Sequence, residues 1–172
     1  MLIYFFIAVG LSMDAFTMAL AYGTSIGKVS KGLVLSYFVG IFHFFMSIVG
    51  SALGNGFQNI VSNSDKIVGI ILLILAIQMY MTRNEEKKDL IFSFFTTVLF
   101  SFTVSIDSFS VGVGLGLSNT NIIYPAIIFS IVSFIITLFG LLLGKKLSDK
   151  LGLLATYIGI AILLILSLWY LL

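Results

Sequence analysis

The sequence has no cysteine, one proline, one histidine and one tryptophan among 172 residues, and only 9% of it is charged. Without cysteine there is no disulfide framework and no thiolate metal site. The scarcity of charge excludes more. An ordinary soluble domain carries roughly 25% charged residues, and a chain that is 60% hydrophobic cannot cover a core of this size with a polar shell. A net charge of +2 is too small to point to nucleic acid. No glycine-rich phosphate loop is present, so nucleotide-driven work is not expected; nor is an enzyme. What remains is an integral membrane protein with the lipid bilayer as its solvent.

What the sequence does have is long apolar runs, over roughly residues 2–22, 33–54, 67–81, 91–117, 122–144 and 152–172. About 20 apolar residues cross a bilayer as a helix. Runs of this length without alternation are not barrel strands. The expected fold is therefore all-α, with six transmembrane helices. The first 22 residues lack a basic start and a small-residue cleavage site, so they read as a first span rather than a removed signal peptide. Charge is confined to the short loops. Lys28 and Lys31 fall in the first, Arg83, Lys87 and Lys88 in the third, and Lys145, Lys146 and Lys150 in the fifth, which is eight of the nine basic residues. The positive-inside rule puts these loops in the cytoplasm and both termini outside.

The two halves resemble each other. "LSMDAFTMAL" at Leu11–Leu20 aligns with "VSIDSFSVGV" at Val104–Val113, pairing Asp14 with Asp107, Ser12 with Ser105, Phe16 with Phe109 and Thr17 with Ser110; further on, Gly23 pairs with Gly116. "GSALG" at Gly50–Gly54 matches "GLLLG" at Gly140–Gly144, and "IVGIILLILAIQMY" at Ile67–Tyr80 matches "YIGIAILLILSLWY" at Tyr157–Tyr170. Residues 1–82 and 90–172 thus read as two three-helix repeats joined by a cytoplasmic link, 83–89, in one transmembrane domain. Three is odd, so the repeats are expected to be inverted, an arrangement that places transporter sites at the midplane.

A carboxylate at bilayer depth costs a few kcal/mol on insertion scales. Asp14 and Asp107 incur that cost at matched positions. Helical spacing puts a hydroxyl on the same face three residues on, Thr17 in one case and Ser110 in the other. Two carboxylates with hydroxyls, carbonyls and water make a hard oxygen site suited to Mg²⁺, Ca²⁺ or Mn²⁺. His43, in "GIFHFFMS", sits near the middle of the second run, and its counterpart in the second half is about Ser133. Imidazole can carry a proton or bind a metal, and as a ligand it tilts the site toward a transition ion. The candidate metal-binding residues are therefore Asp14, Asp107, His43, Thr17 and Ser110. The bland alternative is that each acid caps or hydrogen-bonds within the bundle. The glycines of "GSALG" and "GLLLG" fit close helix packing.

"LSMDAFTMALAYG", "GIFHFFMSIVGSALG" and "SIDSFSVGVGLG" resemble the signature segments of the manganese efflux pump family, the MntP proteins. The resemblance spans nearly the whole chain. It implies six spans in two repeats and export of Mn²⁺ across the plasma membrane of a bacterium, with Asp14 and Asp107 on the ion path. Mn²⁺ is then the transported substrate, and no resident cofactor is expected. Driving a divalent cation out against an inside-negative potential costs about 4.6 kcal/mol per 100 mV, twice the single-charge figure. An uncoupled pore would run the wrong way, so exchange for protons is expected. Two other readings stay open. One is export of a different cation, such as Cd²⁺, or of a small basic metabolite; the other is a membrane assembly protein that transports nothing.

Overall fold

The computed structural model describes residues 2–25, 29–57, 64–82, 94–144 and 149–171. The link 83–89 and the basic residues Lys28, Arg83, Lys87, Lys88, Lys145 and Lys146 lie outside the described residues. The helices are α1 (Leu2–Ser25), α2 (Val29–Phe57), α3 (Ser64–Thr82), α4 (Phe94–Val104), α5 (Ile106–Leu117), α6 (Ile123–Gly144) and α7 (Asp149–Leu171). No strand occurs among the described residues. Taken end to end, α4 and α5 make one span, so the six expected spans are present. Leu2–Leu20, Val29–Phe57, Phe94–Leu117 and Ile123–Gly144 are long and apolar enough to cross a membrane. The apolar parts of α3 and α7 are shorter, Lys66–Ile77 and Tyr157–Leu171.

The polarity of the fold is that of a protein dissolved in lipid. Along α2 the buried face reads Gly32, Leu35, Ser36, Val39, Gly40, His43, Ser47, Gly50, Ser51 and Gly54, which keeps helical period. It is built of small and polar residues, while Tyr37, Phe45, Val49 and Leu53 on the other side are exposed. Lipid tails satisfy the large apolar side chains as well as a core would, so close approach and hydrogen bonds hold the helices together. Buried hydroxyls reach back one turn. Ser36 donates to the Gly32 carbonyl at 3.0 Å and Ser47 to that of His43 at 2.7 Å.

Contacts fix the helix directions. Ser12, Phe16 and Leu20 of α1 meet Ser133, Phe139 and Gly144 of α6 in rising order, so these helices run parallel. Phe38, Phe42, His43, Ser47 and Ser51 of α2 likewise meet Phe94, Phe102, Ser105, Gly112 and Gly116. By contrast α2 is antiparallel to α6, since Gly32 abuts Leu141 and Gly40 abuts Ser130 and Phe134. Spans one and five therefore run one way and spans two and four the other, as six alternating spans require. Among the described residues the principal packing partners are α1 with α6 and α7, α2 with α5, α6 and α4, and α3 with α7 and α5. Except for α2 against α4 and the junction of α4 with α5, these pairs are made at glycines or hydroxyls. All but that junction join the first three spans to the last three.

Two glycine seams make the closest approaches. A Cβ at Gly50 would collide with the Phe109 carbonyl oxygen, at Gly54 with that of Val113, at Gly112 with that of Ser47 and at Gly116 with that of Ser51. In the α1–α6 seam, a Cβ at Gly23 would strike the Leu141 carbonyl and one at Gly144 the Leu20 carbonyl. Between α5 and α6 the chain turns in a few residues. Asn119 takes the left-handed conformation at φ 53°, and the amide N–H groups of Asn119 and Thr120 donate to the Gly116 and Leu115 carbonyls, the closed helix end that asparagine tolerates well. The sole proline, Pro125, sits in the first turn of α6, where no intrahelical donor is lost.

Candidate cation site

Asp14 lies near the middle of α1 and Asp107 near the middle of the fourth span, in the first turn of α5. Each is half-buried. Two residues beyond each acid, the chain is seated against a glycine of another helix: a Cβ at Gly140 would crowd the Phe16 carbonyl oxygen, and one at Gly50 would collide with that of Phe109. The seams thus fix the height and rotation of both acid-bearing turns. The structure brings the acids together, for the Asp14 carboxylate acts electrostatically on that of Asp107. Like charges at bilayer depth repel unless a cation or a proton compensates them. Two carboxylates at this depth thus need a compensating positive charge.

The hydroxyls expected beside the acids differ. Thr17 is buried and donates to the Met13 carbonyl at 2.7 Å. Ser110 is half-buried and makes only a long contact, 3.4 Å, with the Ile106 carbonyl, so its rotor is weakly held. The expectation that His43 shares one metal site with both acids is not met in this conformation. Among the described residues no three His, Asp or Glu side chains lie close enough to hold a metal ion together.

The reason is visible in what His43 does instead. Its ring is fully buried, and Nδ1 lies 2.9 Å from the Val39 carbonyl oxygen and 2.8 Å from Ser105 Oγ. A carbonyl only accepts, so Nδ1 carries the hydrogen. Ser105 gives its own hydrogen to the Ser101 carbonyl at 2.7 Å, so its oxygen accepts from the imidazole. Nε2 is then the bare nitrogen, and it is buried with no hydrogen-bond partner. Ser105 is also where the fourth span breaks. Its amide donates to the Phe102 carbonyl, one residue nearer than in an α-helix, at 3.1 Å, with φ −100° and ψ −1°. The continuous fourth helix expected from the sequence is interrupted two residues before Asp107.

Sequence reasoning missed Ser105 as a partner of His43, although the signal was there. Ser105 pairs with Ser12, and His43 with Ser133, in the alignment of the halves. Ser12 and Ser133 also touch, Oγ to Oγ, at 2.7 Å; Ser12 donates to the Ala8 carbonyl at 2.6 Å, so Ser133 donates to Ser12. The two stations use the same two aligned positions with different chemistry.

No solved structure matches the chain. Residues 26–171 match the family described as "Putative manganese efflux pump". Curated relatives carry the same description with the name MntP. One from Bacillus licheniformis is 36% identical over 91% of this chain and 86% of its own length. Another, from Methanosphaera stadtmanae, is 34% identical over 88% of each chain, and a third, from Methanobrevibacter smithii, is 33% identical over 94% of this chain and 91% of its own. With matched segments this extensive, and with helices suited to a multi-pass cell-membrane protein, the chain belongs to the manganese efflux pump family.

Proposed function

We propose that this protein exports Mn²⁺ from the cytoplasm in exchange for protons, with Asp14 and Asp107 as the carboxylates that hold the ion. The observation that carries this reading is the pair of mid-span acids, one from each half, set within electrostatic reach of each other. Thr17 adds a neutral oxygen on the turn after Asp14 and Ser110 one on the turn after Asp107. Manganese as cargo is supported by the names of the relatives and by the all-oxygen donor set, which suits hard divalent ions.

The exchange follows from charge. Two adjacent carboxylates cannot both stay ionised in an apolar bundle without a counter-charge. Protons supply it when the site faces outward, and Mn²⁺ displaces them when the site faces inward. Each cycle then returns a neutralised site, and no bare acid pair crosses the bilayer. Inverted repeats would let the same pair face either side through relative tilting of the α1–α6 and α2–α5 seams. The matched stations at Ser12–Ser133 and Ser105–His43 support that symmetry.

Everted vesicles test the reading. An inward-acid pH gradient should drive Mn²⁺ uptake, and adding Mn²⁺ should in turn release protons from the lumen. Dissipating the gradient with a protonophore should reduce uptake to the level of empty vesicles. Uptake that ignores the gradient would refute proton exchange. Orientation has its own test. The basic loops predict that a periplasmic-type reporter fused after Leu172 is active and a cytoplasmic one is not; the opposite pattern would overturn the orientation with both termini outside, and the inverted pairing with it.

A further inference from the structure

We infer that His43 is a positioning residue: its Nδ1–H, held on Ser105, keeps the fourth span broken at that serine and so sets the placement of Asp107 on a separate half-helix. The role rests on the ion-path reading of Asp107 given above, and it differs from ligation or proton carriage by His43 itself.

The argument comes from comparing the two stations. In the first half, Ser12 meets a hydroxyl, Ser133, and α1 runs unbroken through Ser12 from Leu2 to Ser25. In the second half, the aligned Ser105 meets an imidazole, and the helix breaks at that residue. The rest of the local hydrogen bonding is the same in kind, since each serine donates to the carbonyl four residues back, Ala8 in one case and Ser101 in the other. The one difference at the contact is the ring. Ser105 Oγ occupies the Ser101 carbonyl that the backbone amide would otherwise use, and the imidazole donates to that same Oγ, at the turn where the amide shifts to Phe102; a side chain that enters the i→i−4 ladder in this way is a recognised cause of a kink. The ring cannot swing away, because Nδ1–H is shared between the Val39 carbonyl and Ser105 Oγ, and His43 is fully buried. The chain thus places a rigid donor where its other half has a small rotor. As a result Asp14 sits within a continuous helix while Asp107 opens a new one. Groups that orient an ion-binding side chain without touching the ion affect affinity by about 10–100-fold when removed.

Two amide replacements separate this role from its rivals, because asparagine places its N–H where Nδ1 is and glutamine places its amide near Nε2. Purified full-length protein in proteoliposomes is assayed for Mn²⁺ transport, with KM and maximal rate measured per inserted protein. His43→Ser, which recreates the first-half station, and Ser105→Ala should each raise KM about tenfold with a smaller change in maximal rate. The double variant should be no worse than the poorer single one. His43→Asn should restore KM to within about twofold of wild type, while His43→Gln should behave like His43→Ser. Rescue by glutamine but not asparagine would overturn the proposal in favour of a role for Nε2, as would a normal KM in Ser105→Ala. Nitrogen-15 spectra of histidine-labelled wild-type protein provide a readout that no variant's folding can obscure, since His43 is the only histidine. They should show Nδ1 protonated and Nε2 bare; the opposite tautomer would overturn the proposal directly. A wild-type KM in Asp107→Asn would instead refute the ion-path reading beneath it, whatever the tautomer.

Discussion

Asp14→Asn and Asp107→Asn should each bring Mn²⁺ efflux from loaded cells to background while leaving the amount of membrane-inserted protein at or above the wild-type level. Asparagine matches aspartate in volume and removes the cost of a charge at bilayer depth. If the carboxylates only held the bundle together, neutralising one would lower insertion or stability before it lowered transport. If they hold the ion, each substitution deletes half of the charge that replaces the hydration shell of Mn²⁺. Removing one member of a buried charged set costs about 3–5 kcal/mol, which corresponds to a loss of more than 100-fold. The double variant should be scarcely worse than either single one, because residues of one site fail together. Efflux per inserted protein in all three variants is the measurement. Two normal single variants would dismiss the shared site.

The second large effect belongs to the glycine seams. Gly54→Ala or Gly144→Ala places a methyl group into the carbonyl oxygen of Val113 or Leu20. These atoms are helix backbone, so no side chain can turn aside and the helices themselves must part. Overpacking of this kind costs typically 1–3 kcal/mol and sometimes more, and here it also separates the turns that carry the acids. Both variants should unfold in detergent at clearly lower temperature than wild type and lose transport. Gly56→Ala is the control, since a Cβ there meets nothing within 4 Å; it should match wild type in both assays. Wild-type stability in Gly54→Ala and Gly144→Ala would mean that the seams are looser than described.

Composition and run length sufficed for the six spans, because lipid imposes one requirement on every spanning segment and apolar length satisfies it. The pairing of Asp14 with Asp107 was also legible, since a costly residue repeated in matched surroundings stands out against an apolar background. The roles of GSALG and GLLLG as packing surfaces were legible too, but not which helix each would meet. That choice depends on how six cylinders fill space together. The break at Ser105 escaped notice because nothing local announces it: no proline or glycine stands there, and the residue responsible lies 62 positions earlier on another helix. The hydrogen-bond partners of His43 escaped notice for a related reason. Residue type alone suggests a ligand, whereas its Nδ1 partners, Val39 and Ser105, are visible only once α2 and the fourth span are side by side.

The pairing of helices across the two halves has a consequence for how the protein is made. The first three spans leave the ribosome before their partners exist. α1 waits for α6, α2 for α5, and α3 for α7. During that interval the glycine and serine faces of α1 and α2 have only lipid or the insertion machinery to touch, and hydroxyls such as that of Ser12 are limited to their own helix. Among the described residues the principal packing partners lie across the two halves, so assembly is a late event gated by the arrival of the fifth and sixth spans. A chain interrupted before Ile123 would carry the first acid, the second acid and the histidine, yet would lack the α6 wall against which α1 is seated.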